Sequence, residues 1–135
     1  MKKIILTLGA SALVLTIAGA AAAHHSGAMF DGTKTAVLQG TVKEFQYTNP
    51  HSWLVVNVPD AAGKVTEWSF EAEGPSTLLR AGIKKSSLMP GDKVTVRGHP
   101  LKDGRPGGGL VDVTKADGSV LNPRGGSLSG AKTPS

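Results

Sequence analysis

The sequence predicts an all-β fold, a small OB-like five-stranded barrel with one short helix between strands three and four. Three observations point there. β-forming segments come in the order strand, strand, strand, helix, strand, strand. The first of them is interrupted at Gly40. The chain beyond its apolar leader, about 112 residues, suits one domain with a single small core. A Gly-bent first strand and a helix after the third strand are what an OB-type barrel requires. A small open sandwich is the competing architecture.

The leader comes first. Met1-Lys2-Lys3 is basic, Ile4 to Ala20 is an uncharged apolar run, and Ala21-Ala22-Ala23 supplies small residues for cleavage. These three parts make a secretory signal peptide over residues 1–23. The run of about seventeen residues lies at the short limit for a membrane span, so no stable span is expected once the leader is removed. No cysteine follows it and no twin arginine precedes it, which argues against a lipid anchor and for the general secretion route.

Residues 24–35 read as an extended arm, with Phe30 as its point of docking on the core. Ala36 to Tyr47 is the first strand, and its alternation slips near Gly40, which predicts a bulge or sharp bend there. Thr48-Asn49-Pro50-His51 is a turn. In Ser52 to Val58, Leu54, Val56 and Val58 share one face, and Trp53, Val55 and Asn57 the other. Val65 to Glu73 alternates Thr66, Trp68 and Phe70 with Glu67, Ser69 and Glu71, a half-buried strand with its acidic side in solvent.

Gly74-Pro75 opens the short helix, Leu78 and Leu79 give it an apolar side, and Gly82 ends it. Lys93 to Gly98 is the fourth strand, with Val94 and Val96 inward. Lys102 to Gly109 reads as a mobile Gly-rich loop, and Leu110 to Thr114 as the fifth strand. Asp117-Gly118 is a hairpin signal, and Val120-Leu121 adds a short sixth strand. The barrel domain is thus placed at residues 36–121. Residues 122–135 are Pro, Gly, Ser, Lys and Thr with one large apolar residue, Leu128, and read as a disordered tail.

Composition narrows the function. The net charge of +5 includes Lys2 and Lys3; without them thirteen Lys and Arg face ten Asp and Glu, or +3. The charges are scattered, whereas a nucleic-acid footprint needs clustered base. The absence of cysteine removes thiolate metal sites and thiol catalysis. No serine sits in a nucleophile-elbow context, and Lys102 to Gly109 lacks the strand-loop-helix setting of a phosphate loop. The chain reads as a non-enzyme.

Four histidines are the distinctive chemistry: His24, His25, His51 and His99. Cleavage after Ala22 leaves a free amine, two amide nitrogens and the third-position imidazole of His25, which suit square-planar Cu(II) or Ni(II). Cleavage after Ala23 makes His24 terminal. Its amine and imidazole can then chelate copper with a further imidazole from His25, His51 or His99, an arrangement resembling the copper brace of certain secreted oxidases. His99 is the better partner, because the first strand of an OB barrel pairs antiparallel with the fourth, and His51 lies at the far end of strand one. The plainer reading makes His24 and His25 an exposed polar pair, His51 and His99 turn and strand-end residues, and Met29 a hydrophobic clip. Tyr47 and Trp53 are candidates for a ligand-stacking face, since OB folds bind ligands on strands two and three. The alternative is that Trp53 closes the barrel end while Trp68 and Phe70 are core.

A family resemblance rests on His24-His25-Ser26, Met29-Phe30-Asp31, Gly40-Thr41-Val42, Asn49-Pro50-His51, Trp53, Pro75, Leu78-Leu79-Arg80 and Pro90-Gly91-Asp92, in that order. Over roughly His24 to Leu121 the chain resembles a domain-of-unknown-function family of small exported bacterial proteins (DUF6152-like). The resemblance implies an exported OB-like barrel of a Gram-negative bacterium, periplasmic or secreted, and implies no catalytic residues. Two positions depart from the pattern: Tyr47 and Ile83 stand where similar proteins carry Trp, and both keep a bulky apolar group. The expected function is an exported binding module for an unknown small ligand. The rivals are a copper- or nickel-binding protein using its processed N-terminus, and an accessory protein docking on an envelope enzyme.

Overall fold

In the computed structural model, residues 27–125 are described. Six strands and one helix follow in order: β1 (Ala36–Gln46), β2 (Ser52–Pro59), β3 (Val65–Ala72), α1 (Pro75–Arg80), β4 (Lys93–Pro100), β5 (Gly107–Lys115) and β6 (Val120–Leu121). The sheet runs β3-β2-β1-β4-β5-β6, and a further β3–β5 pairing closes it into a mixed five-stranded barrel. All neighbours are antiparallel except β3 and β5, which pair in parallel through Ser69–Gly107, Phe70–Gly108 and Glu71–Gly109. The helix stands between β3 and β4. The OB-like fold class read from the sequence is the observed one.

β1 is the strand around which the barrel coils. Its first half, Ala36 to Thr41, pairs with β4, and its second half, Thr41 to Gln46, pairs with β2. The predicted slip at Gly40 lies elsewhere: the register shifts between Val42 and Glu44. The cause is packing. Val42 and Phe45 are both buried with two residues between them, so Lys43 and Glu44 must both face outward. Gly40 answers a different need. A Cβ there would run into the carbonyl oxygen of Asn57 and come within 2.7 Å of the Val56 side chain.

The core follows from strand alternation. Leu54 and Val56 of β2, Phe70 and Ala72 of β3, Val94 and Val96 of β4, and Leu110 and Val113 of β5 all point into one cluster. The α1 segment contributes Leu78, and the turns after it contribute Ile83 and Leu88. Leu79, predicted to share that apolar side, is exposed. The helix ends in a Schellman motif: Gly82, at φ +79°, donates to the Leu79 carbonyl, and Ile83 donates to the Leu78 carbonyl. Tyr47 holds this corner to the barrel, its hydroxyl 3.1 Å from the Pro75 carbonyl oxygen and 2.9 Å from that of Ile83.

The stretch expected to be a mobile loop, Lys102 to Gly109, is only partly a loop. Gly107, Gly108 and Gly109 open β5 and form the barrel seam. A Cβ on Gly107 would sit 2.8 Å from the Ser69 carbonyl oxygen, and one on Gly108 would collide with that of His99. Here the glycines let three backbones meet, a packing need that looks like flexibility when only composition is read. The segment past Leu121 also differs from a tail at its start: Asn122 and Pro123 pack on the barrel, with Pro123 fully buried. Residues 126–135 lie outside the described residues.

Candidate functional site

A concavity of about 340 Å³ opens on the outer wall of the barrel beside the β3–β5 seam. Strand alternation builds it. Phe70 and Gly98 face inward, so their neighbours Glu71 and His99 face outward. Trp53, Glu71, Gly109 and His99 are successive lateral neighbours across β2, β3, β5 and β4. Gly109 has no side chain, and the Phe30 ring occupies the vacated place: a Cβ on Gly109 would lie 3.0 Å from it. Phe30 is anchored by a bridge to Leu101, and its neighbours by hydrogen bonds from Asp31 N–H to the Pro100 carbonyl and from Lys102 N–H to the Met29 carbonyl. The arm therefore docks through Phe30, as its sequence predicts.

The walls are lined by paired charges. His51 Nδ1 lies 2.7 Å from Glu71 Oε1. Arg97 grips Asp112 through Nε, at 2.9 and 3.0 Å from its two carboxylate oxygens, and through Nη2. The Asp112 side chain is only 3% exposed, so an arginine fork is what makes its charge tolerable there. The same hydrogen bonds, and then the carboxylate charge, hold the Arg97 proton more tightly than in an ordinary arginine. Arg124, from the segment after β6, reaches Glu73 at 3.4 Å. His99 Nδ1 lies 2.8 Å from the Lys34 carbonyl oxygen. That oxygen can only accept, so Nδ1 carries a proton.

The residues singled out from sequence fall as follows. His51 and His99 line the same concavity. The sequence places them at opposite ends of β1, but closure through β3 and β5 brings both ends to one wall. His24 and His25 lie outside the described residues; Gly27, two residues after His25, lines the concavity. Among the described residues no three His, Cys, Asp or Glu are grouped as a metal cage. Trp53 is half-buried on the outward face, directly across from Glu71. Tyr47 uses its hydroxyl within the fold and its ring edge-on against Phe45, 5.7 Å away. Trp68 and Phe70 stack at 6.0 Å, with Phe70 in the core and Trp68 packed against it.

Sequence reasoning missed Glu71, Glu73, Arg97, Asp112 and Arg124 as wall residues. The acidic side of β3 read as a solvated edge. One signal was present: Arg97 and Asp112 sit at outward positions of two strands expected to be adjacent. Their opposition needed the register, which shifts by one residue at Arg97/Gly98.

A family model described as a family of unknown function, DUF6152, matches residues 12–110. Neither comparison with curated proteins nor comparison with solved structures finds a match.

Proposed function

The chain belongs to the DUF6152 family, a family of unknown function, and on that footing we propose that it is an exported, non-enzymatic binding module whose ligand sits in the concavity beside the seam. The observation that carries this reading is the wall itself. It gathers residues from the arm, the β1–β2 turn, three strands and the segment after β6 into one polar hollow, and two imidazoles line it. The reading of export, to the periplasm or outside the cell, is supported by the leader pattern over residues 1–23.

Native mass spectrometry of protein recovered from cells tests both halves. The expected mass begins at Ala23 or His24 and carries a noncovalent adduct that a His51→Ala/His99→Ala double variant lacks. An uncleaved mass would sink export. An adduct-free mature protein, or an adduct retained by the double variant, would sink the site.

A second reading is favoured by one observation. Gly27, two residues after His25 in the sequence, lines the concavity. The second reading is copper or nickel held by the processed N-terminus. Titration with Cu(II), beside a version bearing one additional N-terminal residue, tests it. Equal binding by the two removes the terminal site.

A further inference from the structure

We infer that the outer wall of β1, β4 and β5 carries a second ligand site, for the phosphate group of a small phosphate monoester. Lys93 and Lys115 supply its charge, and Thr41, Thr95 and Thr114 its hydroxyls. The site shares no lining residue with the concavity beside the seam, so it stands whatever that concavity binds.

Strand register brings these groups together. Val42, Val94, Val96 and Val113 are buried, so their neighbours Thr41, Lys93, Thr95 and Thr114 face outward. Thr95 lies directly across from Gln39 on β1 and from Thr114 on β5, and Thr41 lies directly across from Lys93. Neighbouring strands are about 4.8 Å apart, and same-face residues follow one another at about 6.7 Å along a strand. The five side chains therefore form one patch. Lys93 Nζ lies 2.8 Å from Thr41 Oγ1, which lays the ammonium group across that patch. They line a hollow of about 400 Å³, and Lys115, the last residue of β5, lines it with them. Thr41, Thr95, Thr114 and Lys115 are half-buried there.

Charge and donor type choose the ligand. No carboxylate lines the hollow. Asp92 and Asp117 border an adjoining groove with the same two lysines, but both are engaged locally. Asp92 Oδ2 accepts from the Met89 N–H at 2.9 Å, and Asp117 Oδ1 accepts from the Ser119 N–H at 2.9 Å and its hydroxyl at 2.5 Å. Lys115 acts on Asp117 only as a minor effect beside those Ser119 bonds. Among the described residues neither Lys93 nor Lys115 forms an ion pair, whereas Lys34, Lys43, Arg97, Arg105 and Arg124 each hold a carboxylate. Two unanswered ammonium groups match the charge of a phosphate monoester, about −1.5 to −2 at neutral pH. Its three terminal oxygens accept from hydroxyl and ammonium donors alike, and lysine serves phosphate as a point charge. A carboxylate brings one charge and two oxygens and would leave one lysine unanswered. Pro59 and Ala116 add apolar surface beside the donors, and a hollow of this size holds a small molecule rather than an ion alone.

Calorimetry of the purified protein at low ionic strength tests the site, with glycerol 3-phosphate as the probe and acetate as the carboxylate control. The phosphate ester is expected to bind at least about tenfold more tightly than acetate. Lys93→Ala/Lys115→Ala is expected to weaken it at least about tenfold. Lys84→Ala/Lys85→Ala removes the same charge from the exposed turn after α1 and is expected to leave it unchanged. Thr95→Val/Thr114→Val keeps shape and charge and is expected to weaken it by about threefold to tenfold; thermal melting checks that each variant is folded. Vesicles of phosphatidylcholine with and without phosphatidic acid separate the sources of the phosphate. Retention on phosphatidic acid that the Lys93→Ala/Lys115→Ala variant loses identifies a lipid headgroup, and binding of glycerol 3-phosphate alone identifies a soluble ester; both uphold the site. Binding of neither probe, equal losses in the two lysine double variants, or acetate held as tightly as the ester overturns it.

Discussion

At the scale of single residues, buried charge and local hydrogen bonding decide most outcomes. Asp112 is almost fully buried and answered, among the described residues, by one ion-pair partner, the half-exposed Arg97. Arg97→Ala would leave that carboxylate unpaired and is expected to destabilise the fold by about 1–3 kcal/mol, since water reaches the site only in part; urea unfolding measures it. Asp31 shows the opposite situation, a partly exposed carboxylate tied locally. The Thr33 hydroxyl and then the Thr33 N–H lower its pKa below the ordinary 3.8, with Lys34 adding to the effect and slight burial opposing it. A depressed carboxylate pKa contributes stability that is complete above the unfolded value and is lost as pH falls through the folded value. The turn behind Phe30 should therefore loosen only below about pH 4. Thr33→Ala should move that loosening to higher pH, visible in the Asp31 carboxyl and Phe30 ring signals by NMR. A titration unchanged by Thr33→Ala would show that Thr33 is not the cause.

At the scale of elements, α1 is held by packing and capping rather than by helix propensity. Six residues are too few to be stable alone. Leu78 is 1% exposed and Leu79 58%. Leu78→Ala is expected to cost about 2–5 kcal/mol as a core truncation, and Leu79→Ala less than about 0.5 kcal/mol as a surface change. Chemical denaturation of the pair distinguishes a helix that seals the core from one that merely crosses it. Similar costs for both would contradict the observed facing. The sequence marks both ends of this helix, Pro75 and Gly82, because capping is local. It cannot choose between adjacent leucines, because that choice depends on where the barrel mouth lies.

At the scale of the whole molecule, closure rests on a short seam. β3 and β5 meet through three residue pairs, against eight between β2 and β3. Gly108 is where the backbone has least room. Gly108→Ala forces the seam apart and is expected to destabilise by about 1–3 kcal/mol. In hydrogen exchange the resulting loss of protection should spread along β5 and β3 while the β1–β2 pairing keeps its own. Uniform loss across all strands would mean that the barrel opens only as one unit. The same seam makes the concavity, because it places the outward residues of β3 and β4 on one wall.

Local chemistry was legible in the sequence. Strand alternation, the helix and its caps, the hairpin at Asp117-Gly118, the docking of Phe30 and the number and order of elements all depend on neighbours a few positions apart, and together they imply the OB-like barrel. The site was legible only in fragments: His51 and His99 were visible as reactive residues, but as residues at opposite ends of a strand. Glu71, Arg97 and Asp112 carried no mark of their own, because an outward charge on a strand looks the same over solvent as over a cavity. Tertiary structure decided those, and it decided the meaning of Gly107 to Gly109. Where a sheet closes depends on accumulated twist and register summed over five strands, and a one-residue shift such as those at Val42/Glu44 and Arg97/Gly98 changes which side chains share a wall. Periodicity in the chain fixes which face a residue takes; only closure fixes what stands opposite.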